Sequence, residues 1–444
     1  MTAESSARPL RIGIVTDSMH ERIVNGEVRI ANGGVGVYIY QLIRHLLTVD
    51  SVNEYFLIRF GRGLLDVYQS PRAHNVFMPA RKIDRALALL GGPYSRPVRE
   101  FNLDLIHFPN LFGGSSLPVS IRQVATLHDL TPLLFPAMHP RHRVWANRIL
   151  TRRTLKRTNR IIVPSRATGR DLVAADLASD DRIVCIPHGV NPIFRQTEAT
   201  SEFAERYQIA KPFILSVGVL EPRKNHLILL EVIRALHLRG HRLELVIIGR
   251  PGWRWKNPLT MAKYRDLRPW VKVLTDVPDT SLVEFYNRAE LFIYPSFYEG
   301  FGLPILEAMA CGTPVIASNV SSMPEVGGPA ALFADPTDPR EFVSQALRLL
   351  EEKDLRRRVV DAGLRHARQF TWAATARATL EMYRNVCESV SENALPGLPQ
   401  SRTTHDQLPA SGSARDRPIG FLDLSHRSLD TDSFGLLAKP AIGA

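Results

Sequence analysis

No run of about 18 apolar residues, the length a membrane-spanning helix needs, occurs in the 444-residue sequence. The opening stretch MTAESSARPLRIGIV lacks the charged-then-apolar pattern of a secretory leader and leads straight into a strand-like segment. Only three cysteines are present, Cys185, Cys311 and Cys387, far apart and without metal-ligand spacing. They read as small buried apolar residues of a reducing cytosol. There is no G-x-x-x-x-G-K-[ST], which excludes a P-loop phosphotransferase. The one D-x-D, Asp430 to Asp432, lies near the end of the chain, so no metal clamp on a diphosphate is expected and no metal ligand is assigned.

What is present is the composition of a folded protein, 45% apolar and 23% charged, long enough for two or three domains. The net charge of +12 points to anionic partners. Part of it is concentrated in RHRVWANRILTRRTLKRTNR (Arg141 to Arg160), with eight Lys or Arg and no acid. Helical spacing is expected to carry Trp145, Ile149 and Leu150 on one side. Two readings stand: a solvated helix face, or a helix lying on anionic lipid. Nucleic-acid binding explains the charge but not the loops described next.

Short Ile/Val-rich segments alternate with helical patterns. LRIGIVTD, EYFLIRF, LDLIHFP, RQVATLHD, RIIVPS and RIVCIP are strand candidates within the first 190 residues or so. PFILSVG, LELVIIG, VKVLTDV, LFIYPS and TPVIAS form a second series. Such alternation predicts parallel sheets covered on both faces. The expected organisation is a first domain over 1–195, a second over 196–371, a helix over about 372–392 returning to the first, and a disordered tail over 393–444. The tail is rich in Pro, Ser and Gly. Ligands of such sheets bind beyond the carboxyl ends of the strands.

Three loops carry chemistry. EGFGLPILE follows the strand LFIYPS. Its glycines allow close backbone approach, Pro304 suits a first helical turn, and amides at that helix start attract phosphate without side-chain charge. Glu299 and Glu307 flank the turn and can accept hydrogen bonds from sugar hydroxyls. SVGVLEPRKN supplies Arg223 and Lys224 at a helix start. Cations there oppose the helix dipole, so a compensating anion is expected, a diphosphate being the attractive one. GGVG (Gly33 to Gly36) reads as a loop between strand and helix, and TLHDLTP places His128 at a strand's carboxyl end.

Together these residues resemble the retaining glycosyltransferases of the GT-B fold, family four. EGFGLPILE is similar to that family's E-x7-E motif, LEPRKN to its donor-phosphate segment, GGVGVYIYQL to its amino-terminal glycine loop, and PEVGGPAALFADPTD to the usual continuation. The resemblance spans residues 10 to 390 or so. It implies two doubly wound Rossmann-like domains facing a central cleft, and transfer of a sugar from a nucleotide-sugar to a glycan or lipid-linked acceptor with retention of configuration. GDP-mannose-like or dTDP-rhamnose-like donors suit it best, and the nucleotide-sugar is a substrate, with no cofactor or metal required. By the same resemblance, Glu307 would bind the donor ribose and Glu299 the donor sugar. Amides of Phe301, Gly302 and Leu303 would hold sugar and phosphate. Arg223 and Lys224 would stabilise the leaving diphosphate, His128 would face the sugar, and Gly34 would close over the phosphates. Where many members carry arginine after the phosphate-strand glycine, this chain has Val219. Other readings of the same features are a nucleotide-sugar epimerase or sugar-ester synthase of the same fold, or an inactive scaffold in a polysaccharide assembly complex. The expected location is the cytoplasm, at the inner face of the membrane if residues 141–160 bind lipid.

Overall fold

The computed structural model describes residues 8–388, except residues 20, 25–26, 31–32, 62–67, 69, 80–91, 112–116, 118–120, 137–138, 140, 199–201, 210 and 253–256. The expected tail over 393–444 lies outside the described residues.

The first sheet has seven parallel strands: β1 (Arg11–Val15), β4 (Glu54–Phe60), β5 (Ala73–Met78), β6 (Leu105–Phe108), β7 (Arg122–Thr126), β8 (Arg160–Val163) and β9 (Ile183–Cys185). Their spatial order is β5-β4-β1-β6-β7-β8-β9. The second has six: β10 (Phe213–Val217), β11 (Glu244–Ile248), β12 (Val271–Leu274), β13 (Leu291–Tyr294), β14 (Val315–Ser318) and β15 (Leu332–Ala334), in the order β12-β11-β10-β13-β14-β15. Central strands such as ELVII and LFIY are buried along their whole length. Helices cover both faces, so these strands need apolar residues on both sides. In each sheet the chain winds outward from its first strand, then returns and winds the other way. The reversal falls between β1 and β6, and between β10 and β13. The crevice at such a reversal is where open α/β sheets bind ligands.

Four strands were not expected: the edge strands β5 and β15, and two that pair as a hairpin. The antiparallel hairpin, β2 (Glu21–Val24) with β3 (Glu27–Ile30), separates β1 from the glycine-rich helix. GGVG is therefore not a loop: the helix already begins at Gly33 and runs to Val49. The helix Trp372–Glu388 packs on the first domain. Trp372, Tyr383 and Val386 share an apolar cluster with Tyr38, Leu42 and Leu105. The Tyr383 hydroxyl is 2.6 Å from His107 Nδ1, and Arg122 donates to the Val386 and Cys387 carbonyls. Where the chain passes between the sheets its two crossings lie side by side: Val190 bridges Thr371, and its N–H donates to the Phe370 carbonyl at 3.0 Å.

Two expectations about burial need correction. Cys185 is exposed, because it ends the edge strand β9, while Cys387 is half-buried and only Cys311 is buried. On the helix Arg141–Arg157, Leu150 does not share a face with Trp145 and Ile149. One residue advances the helix by about 100°, which turns Leu150 inward with Thr151, Thr154 and Leu155. Trp145 and Ile149 are left outside, 70% and 42% exposed.

Candidate active site

The site is built at the β10/β13 reversal. These strands pair directly, Ile214 with Leu291 and Leu215 with Phe292, so the segments leaving their carboxyl ends must meet. After β10, Pro222–Lys224 forms a single 3-10 turn. After β13 comes the loop carrying Glu299. Asn225 ties the two together through Nδ2, which donates to the Pro295 carbonyl at 3.2 Å and the Pro336 carbonyl at 2.7 Å. The Phe297 amide donates to the Arg223 carbonyl at 2.9 Å.

Glu299 is gripped from both sides. Lys224 Nζ lies 2.6 Å from Oε1 and Arg223 Nη1 lies 2.8 Å from Oε2. Lys224 also donates to the Tyr294 hydroxyl at 2.7 Å, and Arg223 pairs with Glu221 at 2.6 Å and reaches the Tyr298 carbonyl. Burial alone would raise the Glu299 carboxyl; the adjacent Arg223 and Lys224 overcome it and hold it at about 2. Burial likewise pulls down Lys224, an effect Glu299 offsets only in part. For Arg223 the burial penalty is more than offset by Glu299 and Glu221, and its affinity for the proton rises. The anion that compensates the cations at this helix start is thus the protein's own. Pairing Arg223 and Lys224 with Glu299 and Glu221 satisfies them without a ligand.

Glu307 lies on the helix Leu303–Ala310, entered through Gly302 at φ 106°, a left-handed conformation that favours glycine. Its Oε2 accepts from the Tyr286 hydroxyl at 2.9 Å. Burial raises its carboxyl to about 7, moderated by Tyr286 and reinforced by Asp279. The folded pKa lies above the ordinary 4.5, so the folded state holds a proton the unfolded state has released. Its stabilising effect is complete below pH 4.5 and is lost as pH rises to about 7. Replacing Glu307 with Gln should flatten this part of the stability curve. Urea unfolding at pH 5 and pH 7.5 checks it, and an equal fall in both proteins would refute the assignment.

The first domain closes onto this loop. A Cβ built on Gly300 would lie 1.7 Å from the His128 carbonyl oxygen. The Gly300 carbonyl accepts from Ser165 at 2.7 Å and Thr168 at 3.1 Å. Glu325 of the second domain caps the helix Arg166–Ala174, accepting from the amides of Arg166 at 2.9 Å and Ala167 at 3.2 Å. Tyr298 donates to Asp171 at 2.7 Å. On the loop's other side, Ser322 donates to the carbonyls of Glu299 and Phe301.

Glu299, Arg223 and Lys224 therefore form one cluster. Phe301, Gly302, Leu303 and Glu307 continue the same loop and helix, and His128 abuts it at Gly300. Gly34 shares none of these bonds among the described residues; it is exposed on the first turn of its helix, with open space where a side chain would begin. Sequence reasoning missed Tyr294, Glu221, Tyr286 and His188. Tyr294 and Glu221 stand directly at the strand end and the turn, and could have been found there. Among the described residues, no group of three His, Cys, Asp or Glu is placed to hold a metal ion. No described helix is long and apolar enough to cross a membrane.

A second feature lies on the outside. Trp145, Arg148, Ile149, Arg152, Arg153 and Lys156 line an open groove of about 350 Å³ on the helix Arg141–Arg157. Arg152 also reaches the exposed Asp176 at 3.0 Å.

Comparison with known proteins agrees with this architecture. Residues 32–193 match the model of "Glycosyltransferase Family 4", and residues 200–366 that of "Glycosyl transferases group 1". The chain is 30% identical over 370 residues to O-antigen chain mannosyltransferase B of Escherichia coli, covering 79% of this chain and 96% of that protein. It is 29% identical over 252 residues to D-inositol 3-phosphate glycosyltransferase of Corynebacterium glutamicum, covering 54% and 60% of the two. In fold it is similar to sucrose-phosphate synthase of Thermosynechococcus elongatus, with a TM-score of 0.64 at 19% identity over 86% of this chain and 100% of that one. The same holds for the Anabaena HepE protein in complex with UDP and glucose, with a TM-score of 0.63 at 17% identity over 85% and 100%.

Proposed function

Given that the chain belongs to the family-four, group 1 glycosyltransferases of GT-B fold, we propose that it transfers mannose from a nucleotide-sugar to a glycan or lipid-linked hydroxyl. The observation carrying this reading is the Glu299–Arg223–Lys224 cluster at the strand reversal. Two fixed cations beside a phosphate-accepting loop suit a diphosphate leaving group, whose charge grows as the anomeric C–O bond breaks. A diphosphate entering there competes with Glu299 for Arg223 and Lys224 and frees the carboxylate to accept from sugar hydroxyls. Engaged by those hydroxyls, Glu299 is not the base. The acceptor hydroxyl therefore gives its proton to the departing phosphate oxygen, on the face where the new bond forms, and configuration is retained. Glu307 accepts from the ribose. The cations supply the charge neutralisation, so transfer proceeds without a divalent metal. The mannosyl donor is suggested by the E. coli relative's name.

The test is thermal stabilisation by GDP, UDP, dTDP and ADP without metal, beside an Arg223→Ala/Lys224→Ala control. A nucleotide at a hundred times its Kd stabilises the wild type by about 2.7 kcal/mol, and the control should not shift. GDP is expected to act most strongly. No shift by any nucleotide would overturn the transferase reading in favour of an inactive scaffold.

The outer groove suits an anionic membrane surface. Trp145 and Ile149 project outward beside Arg148, Arg152, Arg153 and Lys156. An apolar column flanked by cations can seat at the headgroup boundary, placing the enzyme at the cytoplasmic face beside a lipid-linked acceptor. Each cation near an anionic surface contributes about 1 kcal/mol. Arg148→Gln/Arg152→Gln/Arg153→Gln should weaken sedimentation with phosphatidylglycerol vesicles by roughly 100-fold, while phosphatidylcholine vesicles bind neither protein. Unchanged sedimentation would remove the membrane from the proposal.

A further inference from the structure

His188 follows β9, on the first crossing between the sheets, and is 4% exposed. Its ring meets those of Tyr38 (4.7 Å), Phe301 (5.1 Å), His128 (5.4 Å) and Trp372 (5.7 Å, stacked). These come from four different elements: the glycine-rich helix, the candidate donor loop, the loop after β7 and the returning helix. His188 thus joins the two domains, touching the candidate donor loop of the second and three segments packed in the first.

Its hydrogen bonding follows from its partners. His128 Nε2 lies 2.8 Å from the Pro109 carbonyl, which can only accept. His128 therefore carries its proton on Nε2 and presents a lone pair at Nδ1. That lone pair faces His188 Nε2 at 3.4 Å, so His188 is the donor. The remaining nitrogen, His188 Nδ1, is left as a buried acceptor with no partner among the described residues. An apolar side chain would avoid that unmet acceptor. What the imidazole adds here is its single bond to His128. Burial lowers the proton affinity of both rings and keeps them neutral.

We propose that His188 is a positioning residue for sugar transfer, its Nε2–H holding the His128 ring and, through the His128 carbonyl under Gly300, the register of the Glu299 loop. This rests on the transferase reading above. It also changes the role of His128. With one nitrogen on Pro109 and the other on His188, neither is free for proton transfer, and His128 acts through its shape and its backbone.

The test compares His188→Leu, which fills the space without a donor, with His188→Gln, whose side-chain N–H2 can still donate to His128 Nδ1. Misplacement at a reacting centre costs up to about 100-fold in rate. His188→Leu should lower kcat/KM by roughly 10- to 100-fold with nucleotide stabilisation unchanged, and His188→Gln should remain near wild type. In a His128→Ala background the two substitutions should have equal effects, because the bond they differ in is gone. A readout independent of turnover is the titration of the His128 ring by nitrogen NMR on the full chain. It should move to higher pH in His188→Leu and stay low in His188→Gln; the titratable groups His107, Tyr38 and Asp129 around His128 are the same in all three proteins. Equal behaviour of Leu and Gln, or a Leu effect that persists without His128, would overturn the proposal. If wild type shows no nucleotide stabilisation, the transferase reading fails while the NMR comparison still decides the role of His188.

Discussion

In Glu299→Gln, turnover falls by about 100- to 1000-fold while GDP binds as tightly as in wild type, or more tightly. The substitution keeps the shape of the side chain and removes the charge that occupies Arg223 and Lys224. Two buried cations are then left short of an anion, and a diphosphate supplies one. Turnover nevertheless fails under the proposed mechanism, which needs this carboxylate to accept from the sugar hydroxyls. The same change costs stability: removing one partner from a buried ionic cluster costs about 3–5 kcal/mol. The sign of the pH effect is fixed by the depressed carboxyl. Its contribution is complete above the ordinary 4.5 and is lost as pH falls toward about 2. Wild type should therefore lose stability between pH 4.5 and 2 more steeply than the variant. Calorimetric GDP titration and urea unfolding at pH 7 and pH 3 check both parts. A variant with normal turnover, or with weaker GDP binding at lowered turnover, would show that the carboxylate is not set against the leaving group.

Gly300→Ala is the second large effect. The new methyl would sit 1.7 Å from a backbone oxygen, that of His128, which cannot rotate away as a side-chain end could. One loop must retreat, and the Ser165 and Thr168 bonds to the Gly300 carbonyl go with it. Overpacking typically costs 1–3 kcal/mol, and a displacement near 1 Å at the reacting centre costs up to about 100-fold in kcat. Stability should fall modestly and kcat strongly, with nucleotide binding largely kept, since Arg223, Lys224 and Glu307 belong to the second domain alone. Wild-type kcat/KM in this variant would mean that the joint between Gly300 and His128 is not part of the working enzyme.

Much of the sheet framework could be read from the sequence. PFILSV, ELVII and LFIY are short apolar runs with turn residues on either side, as central parallel strands require. β5 escaped because AHNVFM is an edge strand with only Val76 and Met78 buried, so it carries no apolar run. The hairpin β2–β3 escaped because ERIV and EVRI mix charge with β-branched residues and stand between two stronger signals. At the site, EGFGLPILE and PRKN announced themselves by residue type. Their pairing did not, since Lys224 and Glu299 meet only because β10 and β13 are neighbours, and strand order is not written in a single sequence. For the same reason the cations seemed to require an external anion. His188 was hidden in IPHGV, a segment that reads as a turn; its position is set by packing between four elements, which local pattern does not encode.

The returning helix Trp372–Glu388 has a consequence for how the protein is made. It fills a groove between residues of the first domain, among them Tyr38 and Leu42, yet it emerges from the ribosome long after β9. Roughly 190 residues separate the two, about 10–40 s of synthesis at typical ribosomal rates. Throughout that interval the first domain has all its strands and an uncovered apolar seam. The nascent chain should recruit a holding chaperone until the second domain and the last helix are out, and a ribosome stalled before Trp372 should carry a first domain that digests more readily than in the finished protein.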